Sequence, residues 1–149
     1  MDYDPSNILL VEDESAHAEL IKRAIRKAGN ANRIDIVVDG EEALDYLYNR
    51  NEFKDKEKYP APGLILLDIK LPGIDGIEVL TKIKEDPALK RIPVIMLTTS
   101  EREEDIVRSY EQYANSYLTK PVGFKEFEEK IRQIDLYWMI LNEPPILES

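Results

Sequence analysis

Short apolar runs alternate with amphipathic stretches along this chain, and each run ends at or beside a polar residue. Ile8-Leu9-Leu10-Val11 leads into Glu12-Asp13, Leu64-Ile65-Leu66-Leu67 into Asp68, and Val94-Ile95-Met96-Leu97 into Thr98; the brief Tyr117-Leu118 run lies just before Lys120. Runs this short and this continuously apolar read as strands. Their alternation with helical patterns predicts βα units and a doubly wound, five-stranded parallel sheet. Ligands of such sheets bind outside the carboxyl ends of the strands. The pattern therefore predicts that three acids, a hydroxyl and an ammonium share one crevice.

The stretches between the runs carry helix signals. Leu20, Ile21, Ala24, Ile25 and Ala28 form a helical stripe that Gly29 stops. Ile34, Ile36 and Val38 alternate as a second strand. Asp39 and Glu42 read as a capping pair for a helix with Ala43, Leu44 and Leu47 inward. Asp75 and Glu78 open another helix, with Ile77, Leu80 and Ile83. Ser100-Glu101-Arg102-Glu103 is a capping-box pattern leading to Ile106, Val107 and Tyr110. The fifth strand falls near Ser116 to Leu118. The last helix places Phe124, Phe127, Ile131, Ile134, Trp138 and Leu141 at helical spacing. Asn51 to Pro62 is a charged connection longer than the usual link between a helix and a strand. The expected organisation is one domain over residues 1–141 and a frayed tail over 142–149.

Charge and composition narrow the function. The net charge of -10 disfavours direct contact with nucleic acid or an anionic membrane, and no Lys/Arg run offsets it. With no cysteine, disulfides, thiolate metal sites and cysteine nucleophiles are excluded. The amino-terminal residues lack the pattern of a signal peptide, and no apolar run approaches transmembrane length. The cytoplasm is the expected compartment.

The strand-end residues carry the chemistry. Crowded carboxylates rise in pKa unless a cation compensates them, so Glu12, Asp13 and Asp68 together call for one. Oxygen-only ligation suits Mg²⁺, with Mn²⁺ as the alternative. Asp68 ends the most apolar run and is expected to be central. A carboxylate there can attack phosphorus, provided the approaching oxygens are neutralised, a task for the cation and Lys120. Thr98 offers a hydroxyl donor. A residue preceding proline is held extended, which aims Lys120 away from a helix, and Pro121 is the candidate for a cis peptide bond. The lone His17 is expected at a solvated position on the first helix.

These residues make the chain resemble the response-regulator receiver domains of two-component signalling. The resemblance rests on Val11-Glu12-Asp13, Leu67-Asp68, Leu71-Pro72-Gly73-Ile74-Asp75-Gly76, Leu97-Thr98-Thr99 and Lys120-Pro121, in that order across almost the whole chain. It implies a flavodoxin-like (βα)5 fold with strand order 2-1-3-4-5. It further implies that Asp68 accepts phosphate from a phosphohistidine of a sensor histidine kinase or phosphotransfer domain. Glu12, Asp13, Asp68 and the backbone carbonyl of Lys70 would hold Mg²⁺, while Thr98 and Lys120 would hold the phosphoryl group. Tyr117 matches the aromatic that rotates inward with the threonine, so the fourth helix, fifth strand and fifth helix would form the responsive surface. A weaker likeness connects Asn51 to Tyr59, Pro87 to Pro93, Leu97 to Ser100 and Leu136-Tyr137-Trp138 with small receivers paired with bacterial phytochromes. It implies a phytochrome-like kinase as partner.

Rival readings fit less well. A nucleotide binder would need a glycine-rich phosphate loop, whereas Glu12-Asp13-Glu14 would repel phosphate. Aspartyl-nucleophile phosphatases commonly carry an acid two residues after the nucleophile, where this chain has Lys70. A pseudo-receiver would lack the acids or the lysine. On the last helix, Leu136, Tyr137, Met139 and Ile140 widen the apolar surface around Trp138 beyond one face, predicting self-association as a homodimer, with docking by the tail as the alternative. The chain ends soon afterwards, so the sequence reads as a stand-alone receiver without an output domain.

Overall fold

The computed structural model describes residues 3–29, 33–110, 113–114 and 116–133, with side chains from Asn7 onward. Five parallel strands, β1 (Tyr3–Val11), β2 (Arg33–Val37), β3 (Ala61–Asp68), β4 (Val94–Thr98) and β5 (Ser116–Thr119), lie in the order β2-β1-β3-β4-β5. The crossovers are α1 (Ser15–Ala28), α2 (Gly40–Leu47), α3 (Gly76–Glu85) and α4 (Glu101–Arg108), and α5 (Phe124–Gln133) follows the last strand. This is the doubly wound order that the resemblance implies.

Strand residues alternate between two apolar layers, as the two-residue repeat of a strand requires. Leu9, Val11, Ile65, Leu67, Val94 and Met96 pack with Val79, Leu80 and Ile83 of α3 and Val107 of α4. Ile8, Leu10, Leu64, Leu66, Ile95 and Leu97 pack with Ile21 and Ile25 of α1 and Phe127 and Ile131 of α5. Every residue of β3 and β4 is buried, which explains why these strands lack any apolar–polar alternation in the sequence.

Local signals close the elements. Gly29 ends α1 through its N–H to the Ile25 carbonyl at 3.2 Å. Asp39, Asp75 and Ser100 cap α2, α3 and α4 by accepting from the backbone N–H of Glu42, Glu78 and Glu103.

The structure corrects three sequence expectations, for β2, Leu20 and the start of β3, and adds the build of the long connection. Ile36 and Val38 are exposed, and Val37 faces the core instead, because β2 is an edge strand. Leu20, assigned to the inward stripe, is 51% exposed and lines a surface pocket rather than the core. The connection from Asn51 to Pro62 is ordered: Asn51–Phe53 forms a 3-10 turn, and Phe53 packs against Tyr46 and Tyr59 at centroid distances of 5.2 and 5.0 Å. Asn49, at φ 54°, donates its side-chain amide to the carbonyls of Phe53 and Tyr59. The connection ends early because β3 begins at Ala61, where Tyr3 and Asp4 of a lengthened β1 pair with Ala61 and Pro62. Ile134, Leu136, Tyr137, Trp138, Met139, Ile140 and Leu141 lie outside the described residues. Among those described, no helix is long and apolar enough to cross a membrane.

Candidate phosphoryl and metal site

Parallel register brings the strand ends to one level. Val11 pairs with Leu67, Asp68 with Leu97, and Thr98 with Thr119, so Glu12, Asp13, Asp68, Thr98 and Lys120 emerge on one edge of the sheet. Glu12, Asp68 and Thr98 are buried, whereas Asp13 is exposed. One carboxylate oxygen from each of Glu12, Asp13 and Asp68 lies within 4.8 Å of the others.

Lys120 reaches into this cluster from the end of β5. Its side chain is 10% exposed, and its ammonium donates to Asp68 Oδ2 at 2.7 Å and pairs with Glu12 Oε1. Its backbone N–H is held by the Thr98 carbonyl at 2.8 Å, and the Lys120–Pro121 peptide is cis. The remaining carboxylate oxygens are oriented by backbone: Asp68 Oδ1 accepts from Lys70 N–H and Glu12 Oε2 from Glu14 N–H. The Thr98 hydroxyl faces the Leu118 carbonyl at 3.5 Å.

Burial raises the Glu12 pKa above the ordinary carboxylate value, and the Asp68 charge adds to this; the Lys120 and Glu14 hydrogen bonds oppose it. Burial alone would lower the Lys120 pKa, but hydrogen bonds to Asp68 and Glu12 outweigh it, so the ammonium is held charged. Three carboxylates against one ammonium leave two negative charges uncompensated. An all-oxygen donor set with this charge fits a divalent cation.

Two openings flank the cluster. One, of about 250 Å³, is lined by His17, Leu20, Ile21, Thr99, Lys120, Pro121 and Val122. The other is a wider groove that includes Asp13, Lys70, Pro72, Asp75, Glu103 and Ile106. Lys70 itself is turned outward, its side chain 83% exposed and 3.5 Å from Glu103 Oε2.

The sequence reading overlooked two residues here. His17, expected at a solvated position, is 39% exposed and stands 3.4 Å from the Lys120 ammonium. Glu103 was read only as a helix cap; it is buried and also accepts from the Thr99 N–H at 2.8 Å. The capping-box spacing was the available signal for Glu103. None existed for His17, whose partner is 103 positions away. Tyr117 is half-buried at the outer edge of β5, where its hydroxyl accepts from Arg108 at 2.9 Å and its ring lies beneath Arg108 and Lys130.

Comparison with known proteins agrees with this geometry. The family model for the response regulator receiver domain matches residues 8–132. The probable methanogenesis regulatory protein FilR2 of Methanothrix harundinacea is 43% identical over 142 residues, 95% of this chain and 89% of that protein. Response regulator Rcp1 of Synechocystis is 42% identical over 91% of this chain and 90% of its own length. The solved Mn²⁺-bound form of Rcp1 superposes with a TM-score of 0.67 at 39% identity, covering 96% of this chain and 99% of that one. The bacteriophytochrome response regulator RtBRR reaches a TM-score of 0.83 at 44% identity, covering 93% and 83%. With the family model spanning most of the chain and the fold matched at this identity, the protein belongs to the response regulator receiver domains.

Proposed function

We propose that Asp68 is the phosphoryl acceptor of this response regulator and that a Mg²⁺-dependent transfer onto it switches a surface for a partner or a second copy. One observation carries the reading: Asp68, central and buried, has Oδ2 at 2.7 Å from Lys120 and lies within the three-carboxylate cluster. The lysine beside it brings a positive charge to the place where phosphoryl oxygens would approach.

The donor is a phosphohistidine on a sensor histidine kinase or phosphotransfer domain. An Asp68 carboxylate oxygen attacks phosphorus while the phosphorus–nitrogen bond breaks. The imidazole leaves with the bonding pair, and Asp68 becomes an acyl phosphate. Glu12, Asp13, Asp68 and the Lys70 carbonyl would hold Mg²⁺, which when bound neutralises phosphoryl oxygens. Lys120 offers its ammonium to the same developing charge, and Thr98 turns its hydroxyl from the Leu118 carbonyl toward the phosphoryl group. Tyr117 follows inward, leaving Arg108 and altering the face formed by α4, β5 and α5.

The role is that of a switch rather than a metabolic enzyme: Lys70 stands where a phosphatase would use an acid. The names of RtBRR and related phytochrome response regulators support a phytochrome-like kinase as the donor. Homodimerisation would use the apolar residues from Leu136 to Ile140. Intact-mass analysis after incubation with acetyl phosphate and Mg²⁺ tests the acceptor assignment. Wild type is expected to gain one phosphoryl adduct that EDTA prevents and Asp68→Asn eliminates. An adduct that persists in Asp68→Asn overturns the assignment.

A further inference from the structure

An ammonium has three protons to donate and accepts none. Around Lys120 Nζ stand three acceptors: Glu12 Oε1, Asp68 Oδ2 at 2.7 Å and the His17 ring nitrogen Nδ1 at 3.4 Å. A ring nitrogen facing an ammonium bonds to it only through a lone pair. A ring that accepts through Nδ1 carries its N–H on Nε2, from which it can donate to Glu14 Oε2 at 3.3 Å. His17 Nδ1 is also 3.9 Å from Glu12 Oε1, a contact that brings no hydrogen bond to a nitrogen without a proton.

We infer that His17 is a positioning residue for phosphoryl transfer, serving as the third acceptor of the Lys120 ammonium and holding it across the crevice toward Asp68. The inference rests on the reading of Asp68 as acceptor. Its reason is geometric. The two acids around Lys120 change during the reaction, because Asp68 Oδ becomes esterified to phosphorus and Glu12 shares its charge with a cation. Of the three, His17 alone would neither bond to phosphorus nor hold the cation. It projects from the first turn of α1, a 14-residue helix whose buried side is locked by Ala18, Ile21 and Ile25, so the anchor is rigid. At 3.4 Å the resting bond is long, and it becomes more important as the competing acids are drawn away.

The test compares wild type, His17→Ala, His17→Asn, Lys120→Ala and the His17→Ala/Lys120→Ala double variant. The maximal rate of Asp68 phosphorylation by acetyl phosphate and its half-saturating concentration are measured with Mg²⁺, and Mg²⁺ affinity is measured by calorimetry. His17→Ala is expected to lower the maximal rate about tenfold, the worth of one hydrogen bond to a charged group, with half-saturation and Mg²⁺ affinity unchanged. Asn retains a carbonyl acceptor and is expected to restore most of the rate. In the Lys120→Ala background, removing His17 is expected to change nothing further. A wild-type rate in His17→Ala overturns the inference, and so does an equal loss in both lysine backgrounds. A fall in Mg²⁺ affinity without rescue by Asn also overturns it, because His17 would then act through Glu12 or Glu14. The contact is also read without phosphoryl chemistry: the ¹⁵N shift of His17 Nδ1 is expected to move on Lys120→Ala, and an unmoved shift overturns the inference. If Asp68→Asn still takes the phosphoryl group, the acceptor assignment fails and the nitrogen shift alone decides the role of His17.

Discussion

Glu12 and Lys120 illustrate how single residues at this site trade stability for chemistry. Burial raises the Glu12 pKa, so its ionisation opposes folding: the stability it contributes is full below the unfolded value of 4.5 and is lost as pH rises through the folded value. The raised Lys120 pKa acts in a different window, contributing stability that is full below 10.5 and lost as pH climbs through its folded value. Lys120→Met is therefore expected to destabilise the metal-free protein by about 3 kcal/mol at pH 7, since it leaves buried carboxylates unpaired. The deficit should shrink toward pH 4.5 as Glu12 takes up a proton. Urea unfolding across pH in EDTA checks this, and a pH-independent deficit would show that Lys120 acts by packing alone. Gly76 is constrained by shape instead. A Cβ there would lie 2.2 Å from the Asp68 carbonyl oxygen, because the start of α3 is drawn against Asp68 and Ile69 by the Gly76 N–H bond to the Ile69 carbonyl. Gly76→Ala is expected to cost about 1–3 kcal/mol and to slow phosphorylation of Asp68; a thermal melt and the acetyl phosphate assay together measure both. Glu12, Asp68 and Thr98 were legible as site candidates because each directly follows an apolar run, and Lys120 because it stands two residues beyond one. The approach of His17 was not, since it depends on how α1 leans toward the end of β5.

Among the elements, α4 shows the closest connection between helix signals and the site. Its capping box does double duty: Glu103 N–H is received by Ser100 Oγ at 3.2 Å, and the Glu103 carboxylate returns to the Thr99 N–H and hydroxyl. The same carboxylate faces Lys70 from the loop after β3, so one buried acid joins the segments following Asp68 and Thr98. Glu103→Ala is expected to destabilise the fold by about 1–3 kcal/mol, combining the lost cap with an unpaired Thr99 N–H. Glu103→Gln, which keeps an acceptor, should lose less; equal melting of Ala, Gln and wild type would mean that the cap is dispensable. The box itself was readable from Ser100 and Glu103, since capping is local. The order of the 51–62 connection was not. Its anchors are the packed Tyr46 and Phe53 rings and the Arg33 side chain, which reaches the Lys58 carbonyl 25 positions away. The β2 expectation failed for a related reason: periodicity identifies a strand, but which of its faces is covered depends on its place at the sheet edge.

On the scale of the whole molecule, the net charge of -10 and the sheet topology together define where partners can act. The acidic crevice opens at the carboxyl end of the sheet, while the face of α4, β5 and α5 carries Tyr117 between Arg108 and Lys130. Self-association through residues Leu136 to Ile140 is the expectation from their apolar surface. Trp138→Ala is accordingly expected to shift sedimentation toward monomer by tenfold or more in dissociation constant, as for an aromatic anchor in an apolar interface; unchanged sedimentation would assign those residues to packing within one chain. The sequence by itself determined the class of fold and the identity of the site acids, because continuous apolar runs specify doubly covered strands and the residues following them can only emerge at the carboxyl edge. Tertiary structure decided the rest: the 2.7 Å approach of Lys120 to Asp68, the burial that raises Glu12, and the seat of His17 beside the ammonium. Those depend on strand register and helix placement, through which residues distant in sequence come within a hydrogen bond of one another, and no local pattern encodes such a distance.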